Sequence, residues 1–281
     1  MARSSPGVGR VAAILNFMAD HPGQAFALTD LVRALKLSRA TCHALLTGLV
    51  EVGYLYRASD KTYVLGPALA RIGQTATAHF SPLQVAQPEM RELADRFDVV
   101  CGAYFLEGDM IHQRDRAASM SHVGYPIPMG NRIPLRTTQA AAFFAFAPED
   151  AEAWLARRDT ETAPEKAAAL RAGMAFGREH GFVAIARTAS ADWNASGSID
   201  HLFAPPGTKF PFDPLPEIDP QASYPIVALF APVLDERRKA ILALGLAGLP
   251  MQVSGARALE MGLALRAATA RISEFVTGRK A

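Results

Sequence analysis

Apolar residues recur at helical spacing in three short runs near the start of the chain, then switch to a period of two. Between Val8 and Asp20, the residues Val11, Ile14, Leu15 and Met18 form one face, and His21-Pro22-Gly23 ends the run. Leu31, Val32 and Leu35 form a second face, with Thr29 placed to cap its start. Lys36-Leu37 makes a turn, and Ser38 caps a third run whose stripe is Leu45, Leu46, Leu49 and Val50, stopped at Gly53 by a left-handed residue. Tyr54, Tyr56 and Tyr63 then alternate with smaller or polar residues around Ala58-Ser59-Asp60-Lys61, the pattern of a β-hairpin. Two helices with almost no loop between them, followed at once by a hairpin, make a winged helix-turn-helix. In such a unit one helix braces against the DNA backbone while the next is presented to the major groove.

The polar positions decide what that unit could touch. Arg39, Thr41, His43 and Thr47 fall off the apolar stripe of the third helix and are short or basic, which suits base edges in a groove. Ser38, Arg57 and Lys61 are placed to meet phosphates. Taken singly, each of these also fits a solvated helix face or hairpin tip. The order helix, turn, helix, hairpin is what makes the nucleic-acid reading specific.

Gly66-Pro67 breaks the hairpin, and Ala68 to His79 reads as a linker helix of small residues. Ser81-Pro82 starts another helix, running to about Phe97, with Met90, Leu93, Ala94 and Phe97 facing inward. The expected organisation is therefore a winged helix-turn-helix domain over 1–66, a linker helix over 67–81 and a second domain over 82–281. In that second domain strands and helices alternate. Strands are expected at Val99 to Leu106, at Met110 to Arg114 after the turn Glu107-Gly108-Asp109, and at Phe182 to Arg187. Two more are expected at Pro225 to Phe230 and Ala240 to Leu246, around a turn at Asp235-Glu236. Helices are expected at Pro134 to Phe146, Pro148 through Trp154, Pro164 to His180 (ended by Gly181) and Val253 to Val276. Pro205, Pro206, Pro211, Pro214, Pro216 and Pro220 crowd the stretch from Ser190 to Tyr224, which reads as a long surface loop or lid. The fold class is α+β, and no internal repeat is present.

At 281 residues the chain is long enough for two cores. Half of its residues are hydrophobic and a fifth charged, as in ordinary water-soluble domains. No run of ~20 apolar residues predicts a membrane span, and the N-terminus lacks the apolar core of a secretory signal, so a cytoplasmic location is expected. The net charge of +2 is unevenly spread. Up to residue 80 there are eight basic and four acidic residues, which leaves 29 − 8 = 21 basic against 27 − 4 = 23 acidic in the remainder. The surplus sits on the half that would meet phosphate. Cys42 and Cys101 are expected to be small buried residues rather than a disulfide pair.

Catalytic patterns are sparse. His112 and His122 are too far apart for a helical metal pair, and neither HExxH, CxxC, Gly-x-Ser-x-Gly nor a P-loop occurs. His180 and His201 are scattered singles, and Ser196 and Ser198 have no identifiable base. No catalytic residue, metal or cofactor is expected. The rival enzyme reading is a methyltransferase that uses the winged helix for dimerisation only. It needs a Gly-rich turn after the first strand of the second domain, where the sequence offers Glu107-Gly108-Asp109.

Leu37-Ser38-Arg39-Ala40-Thr41 with Leu45-Leu46, Gly53-Tyr54, Tyr63-Val64-Leu65-Gly66, Gly130, Pro134-Leu135, Thr138 and Ala231-Pro232-Val233 follow one another in an order that resembles the IclR family of bacterial transcription regulators. The resemblance implies a C-terminal α/β effector-binding domain related to the GAF and PAS sensors. It implies double-stranded operator DNA and a small-molecule effector as partners, with self-association into a homodimer or dimer of dimers. It also implies a pocket lined by Gly130, Thr138, Ala228, Gly245 and Ala247. The chain departs from the family pattern at several points. Ala44 stands where recognition helices usually carry Arg, which opens a third reading, a sensor that has lost DNA binding. Gln139, Ala141 and Ala142 replace the usual run after Thr138, and the acidic motif expected before the strand near residue 225 is missing. Ala228, Gly245 and Ala247 replace Cys and hydroxyl side chains. Fewer polar groups to offset desolvation imply a bulkier, more apolar effector, such as an aromatic or alicyclic catabolic intermediate. Arg116, Arg132, Arg136 or Arg187 could pair with a carboxylate, although each alone fits an ordinary surface position.

Overall fold

The structure, a computed structural model, describes residues 5–21, 23–79, 81–157, 163–188 and 210–278. It divides into two compact units, Met1–Ser81 and Pro82–Ala281.

In the first unit, α1 (Pro6–Ala19), α2 (Leu28–Leu35) and α3 (Arg39–Glu51) precede a hairpin of β1 (Leu55–Arg57) and β2 (Tyr63–Leu65), followed by α4 (Ala68–His79). Ile14, Met18, Leu31, Cys42, Leu46, Leu49, Leu55 and Tyr63 close a single core, with Leu45 and Val50 packed at its edge. The turn between α2 and α3 is compact because Lys36 takes a left-handed backbone (φ 52°) and Ser38 caps α3, its hydroxyl accepting from the Thr41 N–H at 3.1 Å. Gly53 ends α3 with φ 74°, as expected of a left-handed stop. Thr29 is not a cap. The helix begins two residues earlier than a Thr29 cap would place it, because the Asp30 carboxylate reaches back to accept from the Ala27 N–H at 2.9 Å and leaves Thr29 inside the first turn. The hairpin also differs in its faces. Leu55, opposite Leu65, points inward and Tyr56 outward, while Tyr63 is held in the core by a two-way bridge to Phe26. Pro22, at the end of the first helical run, lies outside the described residues.

The second unit opens with α5 (Pro82–Phe97) and is built on an antiparallel sheet in the order β5-β4-β3-β10-β9-β6-β7. The strands are β3 (Val100–Glu107), β4 (Met110–Ala118), β5 (Arg132–Pro134), β6 (Val183–Arg187), β7 (Phe212–Pro214), β9 (Ile226–Leu234) and β10 (Ala240–Ala247). One face carries Cys101, Ala103, Leu229, Ala231, Leu242 and Leu244 and is covered by α5 and by the long α9 (Gly255–Thr277). The other carries Ile111, Val183 and Ala243 beneath α6 (Thr137–Phe144), α7 (Pro148–Arg157) and α8 (Pro164–His180). Four strands were not expected from the sequence. β5 is too short to show a period. β7 lies inside the Pro-rich stretch and is tolerated because it is an edge strand, where Pro withholds no needed donor. β8 (Ser223–Tyr224) pairs only with β11 (Val253–Ser254). Residues 189–209, which hold Pro205, Pro206, Ser196, Ser198 and His201, lie outside the described residues. Cys42 and Cys101 are free and buried, and burial pushes both thiols up from their ordinary range.

Candidate nucleic-acid interface and ligand pocket

The first surface follows from the capping of α3. With Cys42, Leu46 and Leu49 turned into the core, Arg39, His43 and Thr47 stand at intervals of four on the exposed side, with Ala40 and Ala44 beside them. Thr41 is half-buried and its hydroxyl lies 2.8 Å from that of Ser38, so this pair rigidifies the start of the helix. The Thr47 hydroxyl donates to the His43 carbonyl at 2.9 Å, and the residue is exposed. On the hairpin, Arg57 and Lys61 are exposed, Lys61 with a left-handed backbone (φ 68°) and the Arg57 guanidinium 5.7 Å from the centre of the Tyr63 ring.

The second surface lies on the sheet of the C-terminal unit, on the face that α6, α7 and α8 cover only in part. Their apolar cover reaches Ala243 on β10 but not Gly245 or Ala247, the next residues on that face. Ala228 and Phe230 on β9 share the face, Phe230 directly opposite Gly245. Gly245 is obligatory here, because a Cβ would lie 2.4 Å from the Phe230 ring and 2.9 Å from that of Tyr104. Those two rings meet edge to face with centroids 5.4 Å apart. A segment from Ser119 to Asn131 lies over β4. Gly130 N–H donates to the Gln113 carbonyl, Asn131 Nδ2 to Gln113 Oε1 at 3.0 Å and Arg116 Nη1 to the Ile127 carbonyl at 2.6 Å. At its other end, Ser119 Oγ donates to Asp98 at 2.7 Å, and His122 bridges Ser119 and the Gly248 carbonyl.

Of the five pocket residues carried over from the family pattern, Ala228, Gly245 and Ala247 thus share one face. Gly130 is exposed with φ 74° in the overlying segment, and Thr138 is buried in α6, its hydroxyl donating to the Phe212 carbonyl at 3.0 Å. The arginines diverge. Arg132 is exposed, donating to His112 with Glu107 nearby. Arg136 stacks on Phe210 at 4.6 Å, and Arg187 lies beside Phe212 in the β6–β7 ladder. Arg116 stands on the pocket face opposite Gly102. Sequence reasoning passed over Tyr104, Gln113 and Tyr125. Gln113 is fully buried, and burial raises both tyrosine hydroxyls above their ordinary range, with Arg116 pulling the other way. The available signal for Tyr104 was an aromatic on the face of β3 shared with Gly102.

Catalytic geometry is not assembled among the described residues. Ser119 is buried and gives its proton to Asp98 rather than to His122, and no group of three or more His, Cys, Asp or Glu side chains could hold a metal there. Glu107-Gly108-Asp109 closes an antiparallel hairpin between β3 and β4, so the phosphate-cradling turn that a methyltransferase requires is not at that place. No described helix is long and apolar enough to cross a membrane.

Comparison with known proteins bears first on the N-terminal unit. The IclR helix-turn-helix domain matches residues 7–59, which spans α1 to β1 and the hairpin turn. The N-terminal unit carries an IclR helix-turn-helix domain. The chain is 25% identical over 175 residues to the HTH-type transcriptional regulator KipR of Bacillus subtilis, covering 59% of this chain and 69% of the relative. Its fold matches an IclR-type transcriptional regulator from Silicibacter sp. TM1040 (TM-score 0.64, 20% identity, 97% and 96% of the two chains). It also matches the repressor BlcR of Agrobacterium tumefaciens (TM-score 0.64, 16% identity, the whole of both chains). An IclR helix-turn-helix domain therefore heads a chain of α+β fold that is similar to transcription regulators, and the enzyme alternative finds no support among those relatives.

Proposed function

We propose that the chain is an effector-controlled regulator in which α3 enters the major groove and the second unit receives a small, largely apolar metabolite. The observation that carries the first part is the exposed row of Arg39, His43 and Thr47 behind a capped helix start. Arg39 and His43 offer donors to base edges, and the methyl of exposed Thr47 suits a thymine methyl. Ser38, Arg57 and Lys61 meet phosphates, and Thr41 acts by fixing the helix start. Two copies of the chain read two half-sites, as a homodimer or a dimer of dimers, in the cytoplasm. Ligand in the second unit biases the DNA affinity of the first, and operator DNA must alter ligand affinity by the same factor.

The test is a gel shift with the intergenic DNA upstream of the gene, repeated with candidate metabolites. A specific complex that a metabolite strengthens or dissolves supports the reading. Binding that is identical for operator and random DNA would falsify it, and would favour the sensor without DNA recognition that Ala44, exposed on α3, brings to mind.

A further inference from the structure

Arg116 is half-buried on the open half of the sheet, yet among the described residues no carboxylate pairs with it. One of its five donors is used, by the Ile127 carbonyl. A partly desolvated guanidinium in that state is poised for an anion. Two phenols stand beside it. Tyr125 lies under the guanidinium, its ring centre 5.9 Å from the guanidinium carbon, and the Tyr104 hydroxyl lies against Gly102, the residue paired with Arg116 across the β3–β4 ladder. Gln113 Nε2 donates weakly to the Tyr104 oxygen at 3.5 Å, which leaves the Tyr104 proton free to be donated. No described group accepts from Tyr125. The other side of the site is apolar, made of the Phe230 ring with Ala228 and Ala247, both half-buried.

We propose that Arg116, Tyr104 and Tyr125 form a carboxylate clamp and that the effector is an aromatic monocarboxylate, its ring lying against Phe230, Ala228 and Ala247. This rests on the reading of the second unit as the effector-binding domain. One cation and two neutral donors match a single negative charge. A phosphate, carrying close to two charges, would leave one uncompensated. Acetate fits the clamp but leaves the apolar wall uncovered, so a flat ring adds binding that a two-carbon acid cannot.

The test is titration calorimetry on the full chain without DNA, using benzoate, 4-hydroxybenzoate and phenylacetate as probes, with benzamide and acetate as controls. At least one of the three ring acids binds, and benzamide and acetate bind at least about tenfold more weakly than it does, since neither combines the charge with the ring. R116Q loses about tenfold or more of that affinity. R116K recovers part of it, which separates lost charge from a loosened Ile127 contact. Y104F and Y125F keep their rings and each weaken binding by about threefold to tenfold. Failure of all three acids to bind overturns the clamp, as does benzamide binding as well as benzoate, or unchanged affinity in R116Q. A gel shift on the same preparations separates the two claims. DNA binding without any ring acid binding sinks the clamp alone, and ring acid binding without DNA binding sinks the operator-reading proposal alone.

Discussion

The outer face of α3 and the open half of the C-terminal sheet both lack an apolar cover, and they are built in opposite ways. Arg39, His43 and Thr47 on α3 come from one continuous stretch and stay in water, Thr47 tied to its own helix backbone and Arg39 free in solvent. The sheet site draws on β3, β4, β9, β10 and the segment above them, and its phenols and its guanidinium are already partly out of water. A groove reader must keep its donors hydrated until a duplex arrives, so a capped and exposed helix suffices. A small-molecule site must be dehydrated in advance, and only residues distant in sequence can enclose it.

The largest break in this comparison comes from the two cores. Leu46→Ala in the first unit should cost about 2–5 kcal/mol, because Leu46 is fully buried among α1, α2 and α3. Operator binding should vanish while hydrogen exchange of the β9 and β10 amides stays as it was. Leu244→Ala, fully buried in the sheet core, should do the reverse to those amides. Loss of protection in β9 and β10 from the Leu46 variant would show that the cores are not separate.

Next come the DNA contacts. Arg39→Ala should relax preference at one base-pair position by about 1–3 kcal/mol, while Arg57→Ala or Lys61→Ala should weaken all sequences alike and lower the salt slope by about 1. Binding measured at several salt concentrations on matched and single-substituted operators distinguishes the two classes. A uniform loss from Arg39→Ala would move that residue to the phosphate set.

The same substitution at two glycines sharpens the contrast. Gly245→Ala drives a Cβ into the Phe230 ring at 2.4 Å, an overpacking worth about 1–3 kcal/mol. Gly48→Ala, in the interior of α3 with nothing within 4 Å of the added carbon, should stabilise the helix by about 0.5–1 kcal/mol. Urea unfolding of the two variants should move in opposite directions, and a destabilised Gly48 variant would mean that α3 has a neighbour on that side.

This difference also governs what could be read from the chain. Ser38, Gly53 and the α3 stripe are local signals, and each element they mark lies within a residue or two of its expected place. Thr29 misled because two candidate caps, Ala27 with Asp30 or Thr29 itself, lie within one turn and only the geometry chooses. In the second unit, Pro164–His180 was legible from its Pro start and Gly stop, but β7 was hidden by prolines that an edge strand tolerates. Tyr104, Gln113 and Tyr125 were invisible as a group. Their meeting depends on the register of β3 against β4 and on a segment folded back over it, which no spacing in the sequence encodes.

The smallest effect concerns the anchor of that segment. Asp98 has a left-handed backbone (φ 55°), and the hydroxyls of Ser119 and Ser121, with the charge of His122 behind them, hold its carboxyl below the usual carboxylate range. A carboxyl whose folded value is lowered adds stability at pH values above its unfolded value of about 3.9. That contribution fades as the pH falls through the lowered value. Asp98→Asn keeps the shape and tolerates the left-handed backbone, so it removes only the charge. The variant should melt slightly below the parent at pH 7, and the gap should narrow as the pH falls below about 4. Because Asp98 is solvated, the gap should also shrink in high salt less than an ion pair would, since neutral hydroxyls do most of the holding. A gap that stays constant from pH 7 to pH 3 would mean that the carboxylate charge does not anchor the segment over Tyr104. The hydrogen bonds of Gly130 and Asn131 to Gln113 would then hold it from the other end.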